Sequence, residues 1–359
     1  MIDVGPKTSR RAPFMALALL SLLAALWAAL ARIGWGMPPL SIPIAGQHGP
    51  LMVSGFLGTL ISVERVVALR WRRAYAVPIL SGLGAVALFT GLSPVIGRGL
   101  ITLASIGLAL MLVWMIRTRP AAYVFTMGIG GLMWLTGNLL WLSDGPVYRA
   151  APWWAGFLIL TIAGERLELA RVLAPGGGAR KTFIGVIAIF VSGLLVSLVD
   201  YRAGLALAGI GLSGLGAWLL RNDVARLTIR QSGLTRFIAA CLLPGYVWLI
   251  IGGILWLAFG GTSTAGFAYD ALLHAVFLGF VFSMIFGHAP IIIPAVVPID
   301  IDYRPLFYAQ LVLLQMSLVV RILGDLSGQP LLRMWGGLFN VLAVLLFLAA
   351  MARSARRRP

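Results

Sequence analysis

This sequence is poor in the residues that soluble proteins use for chemistry. It has one cysteine, Cys241, so an intramolecular disulfide is excluded. It has 11 acidic residues against 28 Lys and Arg, and only 3 His. Charged residues make up 11% of the chain, and no stretch is both long and polar enough for a soluble domain. No glycine-rich run ends in Lys-Ser or Lys-Thr, which removes a phosphate-binding loop. No peptidase or nucleophile motif stands out. The net charge is +17, but no basic domain stands apart from the apolar runs, so a nucleic-acid partner is excluded.

What the chain has in abundance is apolar length. Hydrophobic residues make up 60%, and the mean hydropathy is +0.97. A helix needs about 20 apolar residues to cross a hydrocarbon core. Twelve runs qualify: Pro13–Ile33, Ala45–Leu69, Tyr75–Leu92, Gly99–Ile116, Ala121–Leu142, Ala150–Leu173, Phe183–Val199, Ala203–Leu220, Phe237–Phe259, Asp270–His288, Leu306–Leu323 and Leu331–Met351. The expected fold is therefore an all-α polytopic membrane protein of twelve transmembrane helices, a single membrane domain over residues 1–359. The first run follows a basic segment but lacks a small-residue cleavage site, so it reads as a retained helix. Pro175-Gly176-Gly177-Gly178 reads as a loop. Twenty basic residues, Lys7, Arg10, Arg11, Arg70, Arg72, Arg73, Arg117, Arg119, Arg171, Arg180, Lys181, Arg221, Arg226, Arg230, Arg236, Arg304, Arg353 and Arg356 to Arg358, fall on one side of such a topology, and six, Arg32, Arg98, Arg149, Arg202, Arg321 and Arg333, on the other. The positive-inside rule then places both termini in the cytoplasm, in a bacterial-type inner membrane. The basic bias also favours contact with anionic lipid.

Two stretches repeat. Gly55-Phe56-Leu57 leads to Glu64-Arg65, and Gly156-Phe157-Leu158 leads to Glu165-Arg166, with Arg70 and Arg171 in step. A weaker copy begins at Gly279-Phe280 and has His288 where the others have Glu. The copies fall in the second, sixth and tenth runs. That spacing predicts three pseudo-equivalent four-helix units, at about residues 13–119, 121–236 and 237–353.

All three histidines lie in these runs. His48 precedes Gly55 by seven residues and His274 precedes Gly279 by five, so superposed repeats put the imidazoles within about 3 Å in depth. Two such imidazoles can ligate a haem from its two faces. Gly49 and Gly55 would make room for the ring, while Met52, Phe56, Phe277 and Phe280 would pack on it. Arg321 and Arg333 would hold its propionates through their donor forks. Bland readings stand beside these. A membrane histidine also serves as an interhelical hydrogen-bonding group, and Arg321 also forms an i,i+4 pair with Asp325. His288 lies about 21 Å further along a straight helix than His274, so it cannot share one iron with it; Pro290 is expected to break the helix just beyond. Glu64, Glu165 and His288 are instead candidates for a second metal site or a proton path. The competing and favoured reading pairs both Glu crosswise with Arg65 and Arg166.

The segment His48-Gly49-Pro50-Leu51-Met52-Val53-Ser54-Gly55-Phe56 resembles the H-x-x-x-M-x-x-G-F pattern of the NnrS family, and His274 to Gly287-His288 is similar to a later helix of that family. NnrS proteins are twelve-helix bacterial membrane proteins that bind haem and copper and are linked to nitric oxide stress. More broadly, the three-by-four arrangement resembles subunit I of haem-copper oxidases, with His48 and His274 at the positions of the low-spin haem ligands. The resemblance implies haem b on His48 and His274, with copper a further candidate at the Glu64, Glu165 and His288 level. It also implies electron transfer or nitric oxide binding, with a redox partner or a diatomic gas. The sixth run carries Ala150-Ala151-Pro152-Trp153-Trp154 and no histidine, so the oxidase copper centre does not carry over and terminal oxidase activity is not expected. Two other functions compete: a proton- or ion-coupled transporter worked by Glu64, Glu165 and His288, and an assembly role within a respiratory complex.

Overall fold

Backbone amides and carbonyls inside a hydrocarbon layer must be satisfied within the chain, and a helix does this locally. The computed structural model describes residues 11–38, 44–170 and 177–357, and it is all-α apart from the three-residue strands Ile299–Ile301 and Ala355–Arg357. In chain order the long helices are α1 (Ala12–Arg32), α2 (Ile44–Leu69), α3 (Arg72–Thr90), α4 (Pro94–Thr118), α5 (Ala122–Leu142), α6 (Val147–Ala170), α7 (Gly177–Val196), α8 (Tyr201–Asn222), α9 (Gly233–Phe259), α10 (Gly266–Val296), α11 (Phe307–Leu326) and α12 (Pro330–Ser354). All but α6, eleven helices among the described residues, are long and apolar enough to cross a membrane. Helix α6 has 24 residues, but Arg149, Glu165, Arg166 and Glu168 dilute its apolar character.

Local chemistry sets several ends. Ser93 caps α4 by accepting from the Ile96 amide, with Pro94 in the first turn, where its missing N–H costs nothing. Asp200 caps α8 by accepting from the Ala203 amide at 3.0 Å. Helix α3 stops at Gly91, whose φ of 71° favours a residue without a Cβ. Two expectations fail. Pro290 does not end α10, which continues as α-helix through Pro290 and Pro294 to Val296. Membrane helices tolerate proline because neighbouring groups satisfy the carbonyl it frees. Gly177 and Gly178 are the first turn of α7 rather than a loop; Pro175, Gly176 and Arg171 lie outside the described residues.

By packing, the described residues form two units. One comprises those within Met1–Thr161, Ile291–Asp300 and Arg356–Pro359, and the other those within Ile162–Pro290 and Ile301–Ala355. In the first, α2 runs close against its neighbours. A Cβ on Gly55 would lie 2.8 Å from that of Ala85 and 3.0 Å from that of Ser21. One on Gly58 would lie 2.5 Å from the indole of Trp134, which stacks on Phe157 at 5.0 Å and donates to Ser54 Oγ at 3.0 Å. Gly55 therefore brings helices together and does not make room for a porphyrin. In the second unit the same device joins α7 to α8 at Gly193 and Gly211, and α8 to α9 at Gly209 and Gly253. Small residues let helix backbones approach where hydrocarbon removes the usual hydrophobic drive.

Candidate functional site

His48 lies in the first unit and His274 in the second, and the two are built alike. The His48 Nδ1 lies 2.9 Å from the carbonyl oxygen of Ala25 on α1. The His274 Nδ1 lies 2.8 Å from the carbonyl oxygen of Asp270, one turn earlier on α10. A carbonyl only accepts, so in each neutral ring the proton sits on Nδ1 and the lone pair on Nε2. Each histidine also comes just before a π-helical segment, Leu51–Gly58 after His48 and Ala275–Phe282 after His274, and α-helix resumes at Thr59 and Ser283. The π-helix is rare and clusters at functional sites. The π-helical segments coincide with the matched Gly-Phe pairs of the repeat, Gly55-Phe56 and Gly279-Phe280.

Around His48, Met52 and Phe56 are buried, and Gly49 has only ordinary contacts, at 3.9 Å, with Trp154 and Val147. The Gln47 Oε1 and Trp27 Nε1 atoms are buried without a hydrogen-bond partner among the described residues. Trp154 donates to Asn138 Oδ1 at 2.9 Å, while Asn138 Nδ2 has no such partner.

Around His274 the structure gathers the expected arginines but gives them a different task. Arg321 grips Asp270 with both donors, Nε to Oδ2 at 2.8 Å and Nη2 to Oδ1 at 3.0 Å. Arg333 lies 3.5 Å from Asp270 Oδ1 and 3.2 Å from Asp325 Oδ1, with its guanidinium over the Phe267 ring. Asp270 Oδ1 is 3.4 Å from His274 Nδ1. The propionate role is therefore corrected, because these guanidinium groups already face carboxylates of the chain. The simple Arg321–Asp325 pair is corrected as well, since Arg321 turns its fork to Asp270 and Asp325 is met by Arg333.

His288 is tied down at both nitrogens. Its Nδ1 lies 2.8 Å from the Met284 carbonyl oxygen, and Arg166 Nη1 donates to its Nε2 at 3.2 Å. Arg166 also holds Asp223 with two bonds, Nε to Oδ2 at 2.7 Å and Nη2 to Oδ1 at 2.8 Å, and Asp223 Oδ1 accepts from the Ala225 amide at 2.7 Å. Both side chains are almost completely buried. Arg166 thus pairs with Asp223, an acid outside the expected crosswise set, and Glu64 lies 3.6 Å from its neighbour Arg65. Among the described residues, no three His, Cys, Asp or Glu side chains converge as they would around a metal ion. The His288 nitrogen that a metal would need already accepts from a cation, so Glu64, Glu165 and His288 are not assembled as a copper set.

The residues missed in the sequence are Asp270, Asp223 and Gln315, which accepts from Trp248 Nε1 at 2.7 Å and donates to Ser283 Oγ at 2.9 Å. Asp270 carried a signal, an acid opening an apolar run four residues before a histidine. Asp223 carried none, since it sits in a polar connection.

Residues 11–356 match a family model described as a domain of unknown function, DUF8744. The chain belongs to the DUF8744 family. No curated protein matches it. The family match spans both units, so His48 and His274 lie within one family domain.

Proposed function

We propose that this DUF8744 protein is a multi-pass protein of a bacterial-type inner membrane that holds a b-type haem through Nε2 of His48 and Nε2 of His274. Its role is electron transfer or the binding of a diatomic gas such as nitric oxide. In this reading α6 also spans, giving twelve helices in three four-helix units with both termini in the cytoplasm. The observation that carries it is the shared construction of the two histidines. Each has Nδ1 against a backbone carbonyl, which orients the ring and makes Nε2 the nitrogen that would bind the iron. Each then leads into a π-helical segment at the same point of the repeat. The resemblance of His48 to Phe56 to the NnrS pattern points the same way. The single buried cysteine leaves no Cys-x-x-Cys-His attachment, so the group would be held without thioether bonds. Bound there, it would supply a one-electron couple and an iron centre for a diatomic gas.

The test is haem content per chain in purified wild type, His48→Ala and His274→Ala. Loss of stoichiometric haem in both variants, with unchanged expression and monodispersity, supports the reading. Wild-type haem content in both variants would end it. Carbon monoxide added to the reduced protein then tells an open iron from a six-coordinate one. Ion-coupled transport is the alternative, and haem-free protein that moves protons across liposomes would favour it. The fixed Arg166–Asp223–His288 network speaks against mobile ionisable groups at that level.

A further inference from the structure

In the first unit, the turn between α2 and α3 meets the end of α4 in a corner that carries charge of one sign. Arg70 ends α2 with φ 53°, a left-handed backbone where glycine is usual, and the chain then turns through Trp71 into α3. Trp71 reaches Trp114 on α4, with ring centroids 6.4 Å apart. Helices α3 and α4 are close-packed here, since a Cβ on Gly107 would lie 2.5 Å from the Val77 side chain. Paired as they are, the two indoles stay 45% and 47% exposed. Arg70 and Arg73 flank Trp71 in the chain, Arg117 and Arg119 follow Trp114, and all four are exposed. There is no Asp or Glu between Glu64 and Asp144. None of these four guanidinium groups has a partner among the described residues. Arg98, near the other end of α4, is by contrast answered by Asp144. Below the corner, Leu103, Ile106 and Leu110 are exposed and share the face of α4 that carries Trp114. From Leu103 to Trp114 that stripe runs about 16 Å by helix rise. This is close to half the thickness of a hydrocarbon core.

We propose that this corner binds the headgroup of an anionic phospholipid, with the phosphate held by Arg70, Arg73, Arg117 and Arg119 around the Trp71–Trp114 pair. Arginine meets a phosphate with a fixed fork of donors. Indoles settle at the border of headgroup and hydrocarbon, where the ring lies on apolar chain and the N–H meets a polar group. Basic clusters at the ends of membrane helices attract anionic lipid. The occupant must bring negative charge to the arginines and apolar length to the stripe below Trp114. An anionic phospholipid brings both in one molecule, whereas a free phosphate would answer the arginines alone. The site rests on the membrane-helix fold and not on the haem reading.

The experiment is native mass spectrometry of the full chain in detergent, which counts bound lipid. Phosphatidylglycerol is titrated against phosphatidylcholine with the same acyl chains. Wild type should take up phosphatidylglycerol first. Arg73→Gln with Arg117→Gln should weaken that first binding roughly tenfold or more, as the loss of two cationic contacts at a charged surface implies. Binding of phosphatidylcholine should not change. Trp114→Ala should weaken the same event with every charge kept, which a diffuse electrostatic attraction would not show. Arg226→Gln with Arg230→Gln removes the same charge from the connection between α8 and α9 and should bind as wild type does. All five substituted side chains are exposed, and elution as a single species checks that each variant is folded. Equal loss in the two arginine pairs would reduce the effect to bulk charge and overturn the site. Wild type without preference between the two lipids would overturn it as well. So would displacement of phosphatidylglycerol by inorganic phosphate at equal concentration, which would make the corner a site for a free anion.

Discussion

Arg166 lies on α6, and its charge is kept by pairing. Its side chain is 4% exposed and that of Asp223 is 1% exposed, so neither is hydrated by bulk water. The pair closes with two bonds, and the Ala225 amide satisfies Asp223 further. Taking away one partner leaves a buried charge without compensation, which costs about 3–5 kcal/mol, whereas replacing both with apolar groups of similar size is often neutral. Arg166→Met should therefore destabilise the protein strongly, and Arg166→Met with Asp223→Leu should recover most of the loss. Thermal unfolding of both variants in detergent checks this, and equal loss in the two would show that the pair is not what holds the site. His288, whose Nε2 accepts from Arg166, should lose its fixed ring orientation in the single variant.

At the scale of elements, glycine marks where helices meet. A Cβ on Gly279 would run into the indole of Trp248, and one on Gly58 would lie 2.5 Å from that of Trp134. Gly279→Ala should thus cost about 1–3 kcal/mol by overpacking. Gly185, within α7, is exposed, and a Cβ added there would meet nothing within 4 Å. Gly185→Ala should then be neutral or stabilise by up to about 1 kcal/mol through helix propensity. Melting temperatures that fall for both variants alike would refute this assignment of contacts. The helices themselves were legible in the sequence, since each of the twelve apolar runs falls on a helix and length against hydropathy is a strong signal. Ends set by proline were not, because the tertiary surroundings decide whether a freed carbonyl is tolerated; Pro290 lies inside α10 for that reason. The two histidines and the two arginines were also legible, as polar groups in apolar runs. What the arginines grip was not, because Asp270, Arg321 and Arg333 lie far apart in the chain. The π-helical segments gave no sign in the sequence: of the three copies of the repeat, the one at Gly156-Phe157 lies in ordinary α-helix.

At the scale of the molecule, the topology proposed above would put the α4–α5 connection in the cytoplasm and the α5–α6 connection outside. The one native cysteine, Cys241, is buried, so an introduced thiol can be read against a silent background. Ser143→Cys should react with a membrane-impermeant maleimide on intact cells, and Arg119→Cys only after permeabilisation; both positions are exposed. The reverse pattern would invert the topology.

The central claim is that this DUF8744 chain holds haem through His48 and His274. An optical spectrum of the detergent-purified protein, oxidised and then reduced with dithionite, with haem quantified against protein, tests it most directly. The expected result is a sharp reduced b-type spectrum at about one haem per chain. A colourless protein that stays colourless after haem supplementation would contradict it.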